Sequence, residues 1–95
     1  VAPLTEREWQ HQVTDLARTL GYTIYHTQFS KWSESGWPDL ALCRPPRLLL
    51  VELKSERGKV TEAQQKWLTM LAQCPGVEVK LWRPGQLDEI VRCLR

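Results

Sequence analysis

An α/β fold, with a mixed four-stranded sheet flanked by helices, is what this 95-residue sequence predicts. Three observations carry the expectation. Apolar residues recur at helical spacing in three separate stretches. Four short runs rich in β-branched, aromatic and leucine residues lie between them. One helical stretch separates the third run from the fourth, so those two strands should be parallel neighbours joined by a right-handed crossover. The predicted order is αβββαβα.

Each element has its own local signals. Thr5 and Glu8 have the spacing of a capping box, and Trp9, Val13, Leu16 and Leu20 then follow at helical spacing until Gly21. "YTIYHT" reads as a strand, followed by the polar loop "QFSKWSESG". "PDLALC" and "LLLVELK" are two further strands joined by a four-residue loop, "RPPR", whose prolines cannot sit in a sheet interior. Thr61 opens a second helix carrying Trp67, Leu68, Leu71 and Cys74, closed by Pro75 and Gly76. "VEVKLW" alternates as the fourth strand, and "GQLDEIVRCL" places Leu87, Ile90, Val91 and Leu94 on a final helix. Trp9, Trp67 and Trp82 fall at regular positions in these elements and are expected in the core or an interface.

Composition narrows the class. With 42% apolar and 25% charged residues the chain should fold, and its length suits one domain, residues 1–95, around one modest core. A net charge of +2 allows an acidic partner without demanding one, so any contact with nucleic acid must come from a local patch. Cys43, Cys74 and Cys93 are odd in number and far apart, with no CxxC spacing, and are expected as reduced, mostly packed thiols. The longest strongly apolar run is Leu48 to Val51, and Glu6, Arg7, Glu8 and Asp15 interrupt the first twenty residues. Neither a membrane span nor a signal peptide is expected, which favours an intracellular protein. No organic cofactor is expected.

The second and third strands place charge where a hairpin should be apolar. If "RPPR" is the loop, Cys43 faces Leu48, and counting back along both strands sets Asp39 directly opposite Glu52. Cross-strand Cβ atoms lie ~4.5–5.5 Å apart, and like charges so placed repel. Alternation puts Lys54 on the face of Glu52 while Leu53 points the other way. Two such carboxylates stay ionised together only with positive charge between them. A hard divalent cation, Mg2+ or Mn2+, would supply it. A plainer reading makes Glu52 and Lys54 a surface ion pair at a strand end, with Asp39 merely opening a strand after Pro38.

"GWPDLAL", followed after a short hairpin by "VELKSERGKVTEAQQKWL", resembles the VRR-NUC (virus-type replication-repair nuclease) family, a branch of the PD-(D/E)XK nucleases. The motifs arrive in the family's order from the first helix to the last. The resemblance implies a restriction-endonuclease-like αβββαβ core and metal-dependent phosphodiester hydrolysis leaving 5′-phosphate ends. Residue by residue, it carries over Asp39 from "PDL", Glu52 and Lys54 from "ELK", and Gln64 from "TxxQ" as catalytic. Glu8 in "TEREWQ" resembles the acidic residue of the family's first helix. Asp39, Glu52, the Leu53 carbonyl and Glu8 would hold Mg2+ or Mn2+, Glu8 through water or by recruiting a second ion. Lys54 would orient the attacking water, help deprotonate it, or stabilise the transition state. Glu8 and Gln64 each stand three residues after a threonine, however, and a capping-box role alone would account for both. Gln64 also shares a face with Trp67, Leu68 and Leu71, where a glutamine needs a polar partner.

DNA contacts are expected from the loops around these residues. Arg44 and Arg47 flank the hairpin turn, Arg57 and Lys59 follow "ELKSE", and Lys31 precedes Gly36; such side chains suit phosphate positioning, and each singly also suits a solvated surface. His26 and Ser30 stand where related phage sequences carry a histidine and polar residues. Trp32 departs from the basic residues common there, leaving base stacking, an interface and core cover all open. The small stand-alone members resemble dimeric Holliday-junction resolvases, which implies a homodimer acting on four-way DNA junctions, of phage or prophage origin in the cytoplasm of a bacterial host. A restriction endonuclease of the same superfold and a non-catalytic nucleic-acid-binding module are the competing readings. No added recognition segment supports the former, and the intact Asp39, Glu52 and Lys54 oppose the latter.

Overall fold

Thr5 starts the first helix through the reciprocal cap that its spacing from Glu8 predicts. In the computed structural model, which describes residues 3–27 and 34–95, the Thr5 hydroxyl accepts the Glu8 N–H at 3.1 Å and the Glu8 carboxylate accepts the Thr5 N–H at 2.9 Å. Helix α1 then runs Glu6–Thr19, followed by strands β1 (Thr23–His26), β2 (Leu40–Arg44) and β3 (Arg47–Leu53), helix α2 (Glu62–Leu71), strand β4 (Glu78–Trp82), a 3-10 turn at Pro84–Gln86 and helix α3 (Leu87–Leu94). Helix α2 repeats the same cap, with Thr61 and Gln64 as its partners. Ser30, Lys31 and Trp32 lie outside the described residues.

The sheet is mixed, in spatial order β1-β2-β3-β4, with two antiparallel junctions and a parallel pairing of β3 with β4. Arg44 pairs with Arg47, so Pro45 and Pro46 alone make the hairpin turn and both arginines belong to strands. The register is the expected one, with Cys43 opposite Leu48 and Leu40 opposite Val51. Asp39 and Glu52 therefore meet one step beyond the last paired residues. No helix among the described residues is long and apolar enough to cross a membrane.

Alternation sends Leu40 and Leu42 of β2 and Leu49, Val51 and Leu53 of β3 to one face. There they pack with Trp9, Val13 and Ala17 of α1, Ile90 and Leu94 of α3, Tyr22 and Trp82 into one buried cluster. Helix α2 adds only Leu68 to the buried set. It also stops at Leu71, short of the expected Cys74, and Cys74 lies exposed in the turns that follow. The expectation of mostly packed thiols is corrected with it. Cys43 alternates away from the core and is exposed, Cys93 is half-buried, and all three are free.

Arg44 and Arg47 clamp the turn end of the hairpin to the rest of the fold. The Arg44 guanidinium stacks 4.4 Å over the Tyr22 ring and donates to the carbonyls of Leu20 at 2.8 Å and Arg95 at 3.1 Å. Arg47 makes a bidentate pair with Glu78 at 2.6 and 2.7 Å, and donates to the Tyr22 hydroxyl at 2.7 Å and the Cys93 carbonyl at 2.8 Å. These bonds hold the Arg47 guanidinium firmly charged and keep the Glu78 carboxyl below its ordinary value. Both arginines thus sit at the opposite end of β2 and β3 from Asp39 and Glu52. Planar guanidinium geometry explains the choice of residue, because its rigid fork pairs bidentately with the Glu78 carboxylate while Nη1 serves Tyr22 and Cys93, an arrangement one ammonium cannot make. Arg47→Ala should cost about 2 kcal/mol of stability in urea melts, since charged hydrogen bonds contribute ~1.5–3 kcal/mol each and this pair is partly exposed.

Candidate active site

The open end of the hairpin is fixed first through backbone. The Thr27 N–H donates to the Asp39 carbonyl at 3.0 Å, and the Thr27 hydroxyl bonds the Pro38 carbonyl, extending the β1–β2 pairing past its last residues. The Asp39 carboxylate then accepts the Leu53 N–H at 2.9 Å, closing the gap where the β2–β3 ladder ends. The approach to Asp39 is equally constrained. Gly36 has φ +90°, and a Cβ there would lie 2.4 Å from the Ala63 carbonyl carbon, so only glycine lets this segment reach the start of α2.

On the other side, the Trp82 carbonyl joins three elements. It accepts the Trp9 indole N–H at 3.0 Å and the Lys54 N–H at 3.2 Å, using both lone pairs. Helix α1 and strands β3 and β4 are thereby tied together beside Glu52.

These constraints surround a cavity of about 710 Å³. Asp39, Glu52, Leu53, Lys54 and Gln64 line it, as does His26. Leu53 also packs its side chain in the core. Glu52 is 1% exposed and Lys54 8%. The Lys54 ammonium stands 3.7 Å from one Glu52 oxygen and 4.0 Å from a Glu6 oxygen. The other Glu52 oxygen is buried and has no hydrogen-bond partner among the described residues. Burial pushes the Glu52 carboxyl up to about 7, helped by the neighbouring Asp39 and opposed by Lys54. Burial also raises Asp39, against the lowering effect of the Leu53 N–H.

On helix α1 the acid that borders the cavity is Glu6 and not Glu8. Glu8 is exposed, and its carboxylate is held by Thr5, which keeps it below its ordinary value. Glu8 does not line the cavity, whereas Glu6 does, two residues earlier. Gln10, one turn on from Glu6, places its amide nitrogen 3.0 Å from His26 Nδ1, and Arg7 and His11 border the same opening. A signal for this was present in the sequence: once the capping box claims Glu8, Glu6 is the acid left in the first turn, with Gln10 four residues on along the same face. Gln64 combines both of its anticipated positions, since its Oε1 accepts the Thr61 N–H while the side chain lines the cavity. Arg57 and Lys59 are exposed on the loop after Lys54. Lys31 and Ser30 are not described.

The donor set suits a hard divalent ion with an incomplete protein shell. Among the described residues no group of three or more His, Cys, Asp or Glu could hold a metal. Two carboxylates, a backbone carbonyl and water are nevertheless a partial shell that Mg2+ accepts, and such an ion would satisfy the unpartnered Glu52 oxygen.

The raised Glu52 value sets the direction of a pH effect. The folded state holds this proton more tightly than the unfolded state does, so the stability it gives is complete below the ordinary value of 4.5 and is lost as pH rises through about 7. A difference of this size corresponds to roughly 3 kcal/mol. In EDTA the melting temperature of the wild type should fall relative to Glu52→Gln between these two pH values. A wild-type melting temperature that rises relative to Glu52→Gln across that window would contradict the electrostatics described.

Comparisons with known proteins agree with the fold. No curated protein matches the chain. A solved structure described as a VRR_NUC domain protein superposes with a TM-score of 0.73 at 23% identity, covering 98% of this chain and 87% of that one, a likeness of fold. The VRR-NUC domain itself matches residues 6–94, a span that includes every residue of the cavity. The chain therefore belongs to the VRR-NUC family.

Proposed function

We propose that this protein is a divalent-metal-dependent DNA endonuclease, acting as a homodimer on four-way junctions. The observation that carries the reading is Glu52, buried beside Asp39 with one carboxylate oxygen unpartnered and the Lys54 ammonium 3.7 Å from the other. Burying two carboxylates side by side destabilises a fold, and such arrangements persist where function uses them. Membership of the VRR-NUC family supplies a nuclease-type fold.

Asp39 and Glu52 would hold Mg2+ or Mn2+ together with the Leu53 carbonyl. The ion would neutralise charge on the phosphate and ease loss of a proton from the attacking water. Lys54, largely buried and fixed through its own N–H to the Trp82 carbonyl, presents an ammonium at the same opening. It would stabilise charge developing on the phosphate or orient the water. Gln64 keeps its Nε2 donor end for substrate, since Oε1 is committed to Thr61. Glu6 takes the place intended for Glu8, near enough to Lys54 to orient its ammonium. His26, Arg57 and Lys59 would contact phosphates around the opening.

One such site cuts one strand. Paired cuts across a junction need two sites related by a two-fold axis, which an isologous dimer provides. The setting that goes with this reading is a bacterial cytoplasm, with a phage or prophage origin.

The test is cleavage of an end-labelled four-way junction beside a linear duplex of the same arms, with Mg2+ or Mn2+. The wild type should make symmetric incisions near the branch point, and Lys54→Ala should slow them by about 100-fold or more, the scale of losing one charge-stabilising donor. Preferred cutting of flaps or nicks would overturn the junction assignment. Tight junction binding with no incision under either metal would make the protein a binding module.

A further inference from the structure

A reciprocal clasp from the end of β4 holds the loop that follows Lys54. Arg83 Nη1 lies 2.7 Å from the Ser55 carbonyl, 2.7 Å from the Gly58 carbonyl and 3.3 Å from the Glu56 carbonyl. An Nη group has two hydrogens, so each short contact takes one and the third is weak. In the other direction the Glu56 carboxylate accepts the Gly85 N–H at 2.8 Å. A Cβ on Gly85 would stand 2.9 Å from Glu56 Oε1, so the absence of a side chain there lets the carboxylate close on the backbone. The Gly58 N–H donates to the Ser55 carbonyl at 3.2 Å and completes the turn.

This clasp orders a segment that the core does not. Glu56, Arg57 and Lys59 are exposed, and no residue from Ser55 to Val60 is buried. Arg83 and Glu56 do not line the cavity, so neither would touch the reacting phosphate. What the clasp fixes is the path of the chain from Lys54, which lines the cavity, to Lys59, and with it the points where the exposed Arg57 and Lys59 leave the backbone. An unrestrained turn would have to be ordered again whenever DNA bound, at a cost in backbone entropy.

We propose that Arg83 is a positioning residue, which with Glu56 presents Arg57 and Lys59 as a preformed pair of phosphate contacts for the DNA strand entering the site. The inference rests on the DNA-cutting reading above. It assigns the arginine to the shape of the basic turn and not to DNA.

The test is a double-mutant cycle read by salt dependence. Binding of a labelled four-way junction in EDTA, where cleavage does not compete, is measured across a salt series for wild type, Arg83→Ala, the Arg57→Ala/Lys59→Ala double variant and the triple variant. Losing two phosphate contacts should make the slope of log affinity against log salt shallower by about 1.8 in the double variant. Arg83→Ala should produce at least half of that change, and the triple variant should be no weaker than the double. Glu56→Ala, which opens the other half of the clasp, should move the slope in the same direction, while Glu56→Gln, which keeps an acceptor, should not. Should Arg83→Ala fail to fold, the Glu56 pair carries the test alone.

A wild-type slope in Arg83→Ala, or in Glu56→Ala where that pair stands alone, would overturn the proposal. So would an Arg83→Ala effect that persists in full on the double background, because Arg83 would then be acting on DNA directly. A wild type that binds no DNA at any salt would instead overturn the functional reading, and the proposal with it.

Discussion

The burial of Glu52 next to Asp39 is the constraint on which the rest of the site depends. Desolvation and repulsion from Asp39 both disfavour an ionised Glu52 and push its carboxyl up, while burial, with a smaller push from Glu6, raises Asp39. The pair persists because backbone bonds over-determine its position. Asp39 is pinned by Thr27 through its carbonyl and by Leu53 through its carboxylate. Strand β3 is fixed by a ladder on each side and by the Lys54 bond to Trp82. With the frame so held, the Asp39 carboxylate cannot turn away without giving up the Leu53 N–H.

The two ends of the hairpin divide stability from chemistry. At the turn, Arg44 and Arg47 spend their donors on carbonyls, Tyr22 and Glu78, joining β2 and β3 to the ends of α1 and α3. At the open end the same two strands present Asp39, Glu52 and Lys54 with few compensating bonds. Charge is satisfied at one end and left in excess at the other. That asymmetry is what a site for a cation and a phosphate requires, and it distinguishes the Lys54–Glu52 pair from an ordinary surface ion pair, which would be solvated on both partners.

Much of the fold was legible because its signals are local. The Thr5 and Thr61 caps, the prolines of the hairpin turn and the alternation of β2 and β3 each act over a few residues. The hairpin register followed from them and survived a shorter turn than expected, because "RPPR" and a two-residue Pro45–Pro46 turn place Cys43 opposite Leu48 alike. What escaped depends on partners far apart in sequence. Nothing near Arg44 announces the Leu20 and Arg95 carbonyls, so the arginines read as loop charges. Glu8 lies away from the cavity for a different reason: of the two roles open to its carboxylate, the structure shows it in the cap. Glu6 then reached the cavity from the same helical turn. Arg83 was invisible because a lone arginine after a strand carries no pattern.

The central claim is that Asp39 and Glu52 form a site for a divalent cation, and titration calorimetry with Mn2+ at about pH 7 in two buffers of different ionisation enthalpy tests it most directly. With Glu52 displaced to about 7, the ion should bind and release a fraction of a proton, so the observed heat should differ between the buffers, and Glu52→Gln should abolish the binding. Wild-type protein that takes up no ion, or Glu52→Gln that binds as tightly as the wild type, would contradict the account.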